Sequence, residues 1–326
     1  MPGIAISKYS HMKMILLLVL PYFLPTSTSA STQYDEIANQ DQLVSIHFDD
    51  SLNAAERELT QQWLKEVTGA LLTVYGKFPQ KNFDITIKRS SSRSSPVPWG
   101  QVERGKPVNV LLVINPDLGY DELISDWTAF HELSHLLLPY RGYGNIWLSE
   151  GLATYYQNII QARSGLFDET EMWQKIVAGF TRGSNDQRWR HLNLTDVSDN
   201  LGETRQFMRV HWSGVLFWLT ADVALRKQGK YSLDSALKRL QYCCAKRSMS
   251  AEAIVRELDE LTNENIFVPL FNKYSKSYSI PAYEVLLDDL GVKQKQSTDG
   301  ITFNDNAPLA LIRQQISRRS VIRNES

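Results

Sequence analysis

His131-Glu132-Leu133-Ser134-His135 is the stretch from which the rest of this chain is best read. On an α-helix, positions i and i+4 share a face, so two imidazoles at this spacing can reach one metal ion. The glutamate between them projects from a neighbouring face of the same turn, close enough to deprotonate a water held by that ion. Chance produces such a string in a chain of this length about once in a hundred times, so the surroundings must decide. The pattern predicts a helix over residues 121–138, stopped by Pro139, whose ring cannot continue a helical turn.

Two histidines do not complete a metal site. Catalytic zinc usually takes three protein ligands and keeps a fourth position open. The third should come from a helix packed beside the first. The next predicted helix begins near Ser149 and ends before Gly165, and Trp147-Leu148-Ser149-Glu150-Gly151-Leu152-Ala153-Thr154-Tyr155-Tyr156 marks its start. Glu150 falls in its first turn, where a helix dipole also favours an acid without any metal. Its place after the first motif and a glycine-rich hairpin, Arg141-Gly142-Tyr143-Gly144-Asn145, points to a ligand. Gly151 lets another backbone approach closely.

HELSH followed by WLSEGLATYY resembles the gluzincin clan of zinc peptidases, which share H-E-x-x-H and a glutamate in a W-x-x-E-G context. The closest likeness is to the peptidase-MA-like proteins and the glycyl aminopeptidase family. It covers roughly residues 95–292, and the PDZ module many members carry next has no counterpart in this sequence. The resemblance implies an α+β, thermolysin-like zincin. It would have a mixed α/β subdomain over 31–115, a mainly helical part over 116–292, an active site in the cleft between them and a tail over 293–326. It also implies Zn2+ on His131, His135 and Glu150, Glu132 as general base, and a peptide or protein substrate.

Two further assignments come from the same likeness. Phe207 to Arg226 (FMRVHWSGVLFWLTADVALR) is similar to the family helix that carries an oxyanion-binding tyrosine. The tyrosine position here is His211, which can donate an N–H to an oxyanion or be a buried helix histidine. Tyr143 and Tyr155 are alternatives for that task. Gly100-Gln101-Val102-Glu103-Arg104 has the spacing of an aminopeptidase motif whose glutamate binds the substrate's α-amino group, so Glu103 is a substrate-binding candidate. Its alternative is a solvated loop carboxylate. The Val108 to Ile114 run reads as a buried strand that lines the cleft and could pair with an extended peptide.

The N-terminus differs from the body. Lys8 and Lys13, an apolar run from Met14 to Leu24 and the small residues up to Ala30 form a secretory signal peptide over 1–30. Export to a periplasm or the extracellular space is expected, with no stable membrane insertion after cleavage; an uncleaved anchor is the alternative. Beyond Ala30 there are 33 basic and 36 acidic residues, no electrostatic footprint for nucleic acid. Arg313, Arg318, Arg319 and Arg323 read as a solvated tail. Cys243 and Cys244, the only cysteines, read as packing residues, since neighbours on a helix point about 100° apart. The expected function is an exported zinc metallopeptidase. Its rivals are a zinc-containing binding or assembly module without activity, and another hydrolase using the same metal.

Overall fold

The computed structural model describes residues 35–92, 95–295 and 300–318. The expected signal peptide lies outside the described residues. The described residues belong to one unit, a mixed sheet followed by many helices. The sheet has five strands: β1 (Asp35–Asn39), β2 (Gln42–Phe48), β3 (Asn82–Arg89), β4 (Trp99–Glu103) and β5 (Val108–Ile114), in the order β1-β2-β3-β5-β4. β2, β3 and β5 run parallel, and the two edges are antiparallel to their neighbours. Alternation sets the inner face: Val44 and Ile46, Phe83, Ile85 and Ile87, and Val110, Leu112 and Ile114 are all buried.

Residues 35–39, a largely polar stretch, form edge strand β1, which Ile37 anchors to the core. One feature of the sheet differs from the sequence reading. β5 is not free to accept a peptide, because β3 and β4 occupy both its sides. The edge on this side of the sheet is β4, a short strand that contains a glycine and so does not announce itself.

Helix α1 (Ala54–Leu72) connects β2 to β3. Asn53 and Glu56 form a capping box at its start, and Trp63, Leu64, Val67, Ala70 and Leu71 face the core. The first motif was expected inside one helix over 121–138. Instead α2 (Tyr120–Ser125) ends at Asp126, whose backbone is extended and whose Oδ1 accepts the Thr128 N–H at 2.7 Å. That cap starts a separate short helix, α3 (Thr128–Ser134), which tightens into a 3-10 turn over His135–Leu137.

The body is helical from α4 (Ile146–Ser164) onward: α5 (Glu169–Asn185), α6 (Leu194–Asp199), α7 (Leu201–Thr204), α8 (Phe207–Gln228), α9 (Leu233–Cys244), α10 (Ala251–Thr262), α11 (Phe267–Ser275) and α12 (Glu284–Asp289). A hairpin, β6 (Val292–Gln294) and β7 (Ile301–Phe303), and helix α13 (Ala310–Ser317) follow. Asn193 caps α6 by accepting the Asp196 N–H. No helix among the described residues is long and apolar enough to cross a membrane.

α4 and α8 form the central pair. A Cβ on Gly151 would lie 2.2 Å from Gly214 Cα, and one on Gly214 would lie 2.3 Å from the Trp147 carbonyl oxygen. The two backbones touch, and only glycine fits at the crossing. Two readings at the periphery are corrected here. Arg313 is not solvated: it is buried against Phe303 and paired with Glu169 and Asp305. Cys243 and Cys244 are joined by a disulfide in the last turn of α9, where the chain leaves the helix.

Candidate active site

Three helices deliver the site. α3 carries His131 and Glu132, with His135 at its end. α4 carries Glu150, Thr154 and Gln157, which recur at helical spacing along one face. α8 supplies His211. The start of α4 is pinned by Asn145, which tolerates a left-handed φ of 55° there. Its amide nitrogen donates to Glu252 at 2.6 Å, and its amide oxygen accepts from Trp147 Nε1 and Thr195 Oγ1.

The imidazoles converge on one carboxylate oxygen. Nε2 of His131 lies 3.2 Å from Glu150 Oε2, and Nε2 of His135 and of His211 each lie 3.6 Å from it. The outer nitrogens are all held by α4. His131 Nδ1 donates to Gln157 Oε1 at 2.8 Å, His135 Nδ1 meets Ser149 Oγ at 3.0 Å, and His211 Nδ1 meets Thr154 Oγ1 at 3.2 Å. The His211 ring stacks on His131, centroids 5.7 Å apart and 14° between planes. Nothing in the sequence reading had assigned Gln157, Ser149 or Thr154 a part. The signal was present in α4: polar residues at helical spacing on an otherwise apolar helix.

This donor set fits a metal ion. An amide oxygen can only accept, so His131 Nδ1 carries a proton, and Nε2, which faces Glu150, is the nitrogen left to bind a metal once its own proton is released. Ligand atoms of His131, His135 and Glu150 lie within 4.8 Å of one another. Two imidazoles and one carboxylate, each imidazole with its second nitrogen held, is the chemistry of a catalytic zinc site. His211 sits beside this trio.

Burial and mutual charge set the protonation of these groups. Burial works to lower the pKa of His131, but the hydrogen bond and charge of Glu150 outweigh it and leave it raised. Burial brings His135 down to about 3 and His211 to about 4. Glu150 is held below the usual carboxylate range, because the three histidines together overcome its desolvation. Burial pushes Glu132 up to about 7.

Glu132 points to the sheet side of the site. A Cβ on Gly100 of β4 would lie 2.6 Å from Glu132 Cγ and 3.0 Å from Thr128 Cγ2. β4 therefore crosses directly over α3. A cavity of about 260 Å3 opens there, lined by Gly100, Val102, Arg104, Glu132, His135 and Glu150 among others. A second, of about 280 Å3, opens on the other side of His211, between Trp127, Gln157 and Trp212. Glu103 does not line the first cavity. Its carboxylate accepts from Asn109 at 2.9 Å and Gln101 at 3.2 Å, and these bonds lower its pKa. The two tyrosines weighed for oxyanion binding are engaged elsewhere. Tyr155 donates to Asp222, and Tyr143 is exposed with Arg141 over its ring.

Comparison with known proteins gives a consistent placement. Residues 141–215 match the profile of the M61 glycyl aminopeptidase family. That stretch holds the Glu150 helix and His211. No curated protein sequence matches the chain. Among solved structures, an aminopeptidase N family protein from Idiomarina loihiensis superposes with a TM-score of 0.58 at 15% identity, covering 82% of this chain and 51% of that one. An M1 zinc metallopeptidase from Deinococcus radiodurans gives 0.48 at 15%, covering 76% and 51%. The chain thus spans about half the length of the solved structures it matches. Two histidines of one helix and a glutamate of the next are thus brought together on an aminopeptidase N-like fold, and the stretch that holds Glu150 and His211 is similar to the M61 glycyl aminopeptidases, which is consistent with a gluzincin-type peptidase.

Proposed function

We propose that this protein is an exported, zinc-dependent metallopeptidase of thermolysin-like design, with its active site in the cleft between β4 and the helices. The observation that carries the reading is the convergence of His131, His135 and Glu150 with the His131 tautomer set by Gln157. Zinc, when bound by these three residues, polarises a scissile carbonyl and lowers the pKa of a water to about 7.

The chain's own groups supply the proton traffic. Glu132, packed under β4 and without a hydrogen-bond partner among the described residues, takes the proton of the attacking water and passes it to the leaving amine. His211, oriented through Nδ1 by Thr154, offers Nε2 to the developing oxyanion. Gln157 and Ser149 hold the ligand rings in place. β4 presents an open strand edge along which an extended peptide can lie.

One observation favours a second reading. His211 Nε2 is as close to Glu150 as His135 Nε2 is, so it could serve as a fourth ligand and close the site. The protein would then be a zinc-containing binding or assembly module. Metal analysis combined with a peptide-cleavage assay separates the two. The peptidase reading expects one zinc per chain and cleavage that a chelator abolishes and zinc restores. Glu132→Gln should keep zinc and lose about 10²- to 10⁴-fold in turnover, whereas His135→Ala should lose both. A Glu132→Gln protein of undiminished activity would remove the general-base assignment. Zinc without cleavage would leave the binding module. Export is tested by sequencing the N-terminus of the protein recovered from outside the cytoplasm, which should begin near Ser31.

A further inference from the structure

The strand that covers Glu132 also decides which fixed charge faces the site. Along β4 and its immediate continuation, Gly100, Gln101, Val102 and Arg104 line the cavity shared with Glu132, His135 and Glu150, while the Glu103 carboxylate is turned to Asn109 and the Gln101 amide. Side chains two apart on a strand share a face, so Gly100 packed on Glu132 places Arg104 on the cleft side. The Arg104 guanidinium carbon lies 5.7 Å from the centroid of the Tyr140 ring. Its Cδ and Nε come within 3.8 and 3.9 Å of where a Cβ on Gly142 would stand. Tyr140 in turn donates to the Gly144 carbonyl at 2.8 Å, which fixes the ring.

Arg104 has a wall to rest on but no carboxylate in ion-pair contact. Among the described residues its side chain makes no ion pair and no hydrogen bond; it lies over the ring of Tyr140 and within the field of Glu150. Several arginines elsewhere in the fold are ion-paired, among them Arg89 with Glu56 and Asp117, Arg163 with Asp234, and Arg313 with Glu169 and Asp305. The two carboxylates in the same cavity, Glu132 and Glu150, are the base and ligand candidates. A guanidinium presents its N–H donors in a rigid fork that matches a carboxylate bidentately. Tyr140 and Gly142 leave that fork facing the space beside the metal ligands.

We propose that Arg104 is a specificity-determining residue that binds a substrate carboxylate next to the scissile bond, so that the preferred substrates are acidic at that position. The assignment rests on the peptidase reading and names its substrate class. The carboxylate could belong to an Asp or Glu side chain or to a peptide's C-terminus; both present the same anion to the same fork.

Binding without turnover tests it. The zinc-loaded Glu132→Gln protein is titrated with matched hexapeptides that differ in one group: free acid against amide at the C-terminus, and Glu against Gln at each internal position. At least one pair should favour the carboxylate by about ten- to a hundredfold. The C-terminal pair identifies one source of the anion and an internal pair the other. Adding Arg104→Gln should bring that ratio close to one, and Arg104→Lys should keep part of it. The proposal is overturned if no pair discriminates, complete absence of binding included, or if the preference survives Arg104→Gln. A loss equal for acid and amide members would also overturn it, by making Arg104 a structural part of the wall. Because these are affinities, a wild-type protein that cleaves nothing would count against the peptidase reading alone.

Discussion

At the scale of single residues, the site depends on one missing side chain. Gly100 lies so close to α3 that a methyl group there would sit 2.6 Å from Glu132 Cγ. That is well inside contact distance, and Cγ is mid-chain, so the carboxylate cannot simply swing clear. Gly100→Ala should therefore displace Glu132 while leaving His131, His135 and Glu150 in place, since the nearest atoms to the added methyl belong to Glu132 and Thr128. The expected result is a fall in kcat of about ten- to a hundredfold with zinc content unchanged, since displacing a reacting group by about 1 Å costs that order. A Gly100→Ala protein with normal kcat would mean that β4 gives way and does not set the position of Glu132. His131, Glu132, His135 and Glu150 were legible in the sequence because their relation is one of local spacing plus one neighbouring helix. Arg104 was not. Telling it from Glu103 requires knowing that residues 99–103 form a strand and which of its faces meets α3. The alternation from Gly100 was the available clue, but a glycine carries no hydropathy to reveal it.

At the scale of elements, the crossing of α4 and α8 is what brings His211 to the ligand helices. Gly151 and Gly214 meet backbone to backbone, and the alternative to a glycine there is a wider separation of the two helices. Gly214→Ala should destabilise the fold by about 1–3 kcal/mol, as overpacking does, and should move His211 away from Glu150. Denaturant unfolding measures the first effect. The second should appear as a lowered kcat even where the protein remains folded. Gly69, in the last turn of α1, is the control. A Cβ there meets nothing within 4 Å, so Gly69→Ala should stabilise by about 0.5–1 kcal/mol through helix propensity. If both variants shifted stability alike, the close approach of α4 and α8 would not be a tight constraint. The glycine after Glu150 could be read in advance as a close-approach site, but its partner could not. Which helix lies against α4 follows from packing of the whole body. For the same reason Ser149, Thr154 and Gln157 looked like ordinary polar residues until the rings they hold were in place.

At the scale of the whole molecule, the C-terminal segment is part of the body and reaches the helix that carries Glu150. Ile316 on α13 is buried, and its carbonyl accepts Arg163 Nε at 2.9 Å. Arg163, on α4, pairs with Asp234 through two nitrogens at 3.0 Å each, and Tyr156 on the same helix donates to Asp234 at 2.8 Å. Arg313 closes the segment from the other side, with Nε on Glu169 at 3.0 Å, a second nitrogen on Asp305 at 2.6 Å and its guanidinium 4.0 Å from the Phe303 ring centroid. The sequence read this arginine as solvated because its neighbours Arg318, Arg319 and Arg323 made a basic run; the acids that meet it are 144 and 8 residues away. Arg313→Ala would strip the pairing from Glu169 and Asp305 and leave a void under Phe303. Both partners keep access to water, so the cost should be below that of a fully buried pair, about 2–3 kcal/mol. In a body of this size that corresponds to a fall in Tm of roughly 4–10 °C, read by calorimetry on the protein with and without zinc. Zinc stoichiometry should hold in the variant at low temperature, because its candidate ligands lie on α3 and in the second turn of α4, at the opposite end of that helix from Arg163. A Tm within a degree of wild type would show that α13 contributes little. A variant that folds but no longer retains zinc would show instead that the segment holds α4 in register with α3.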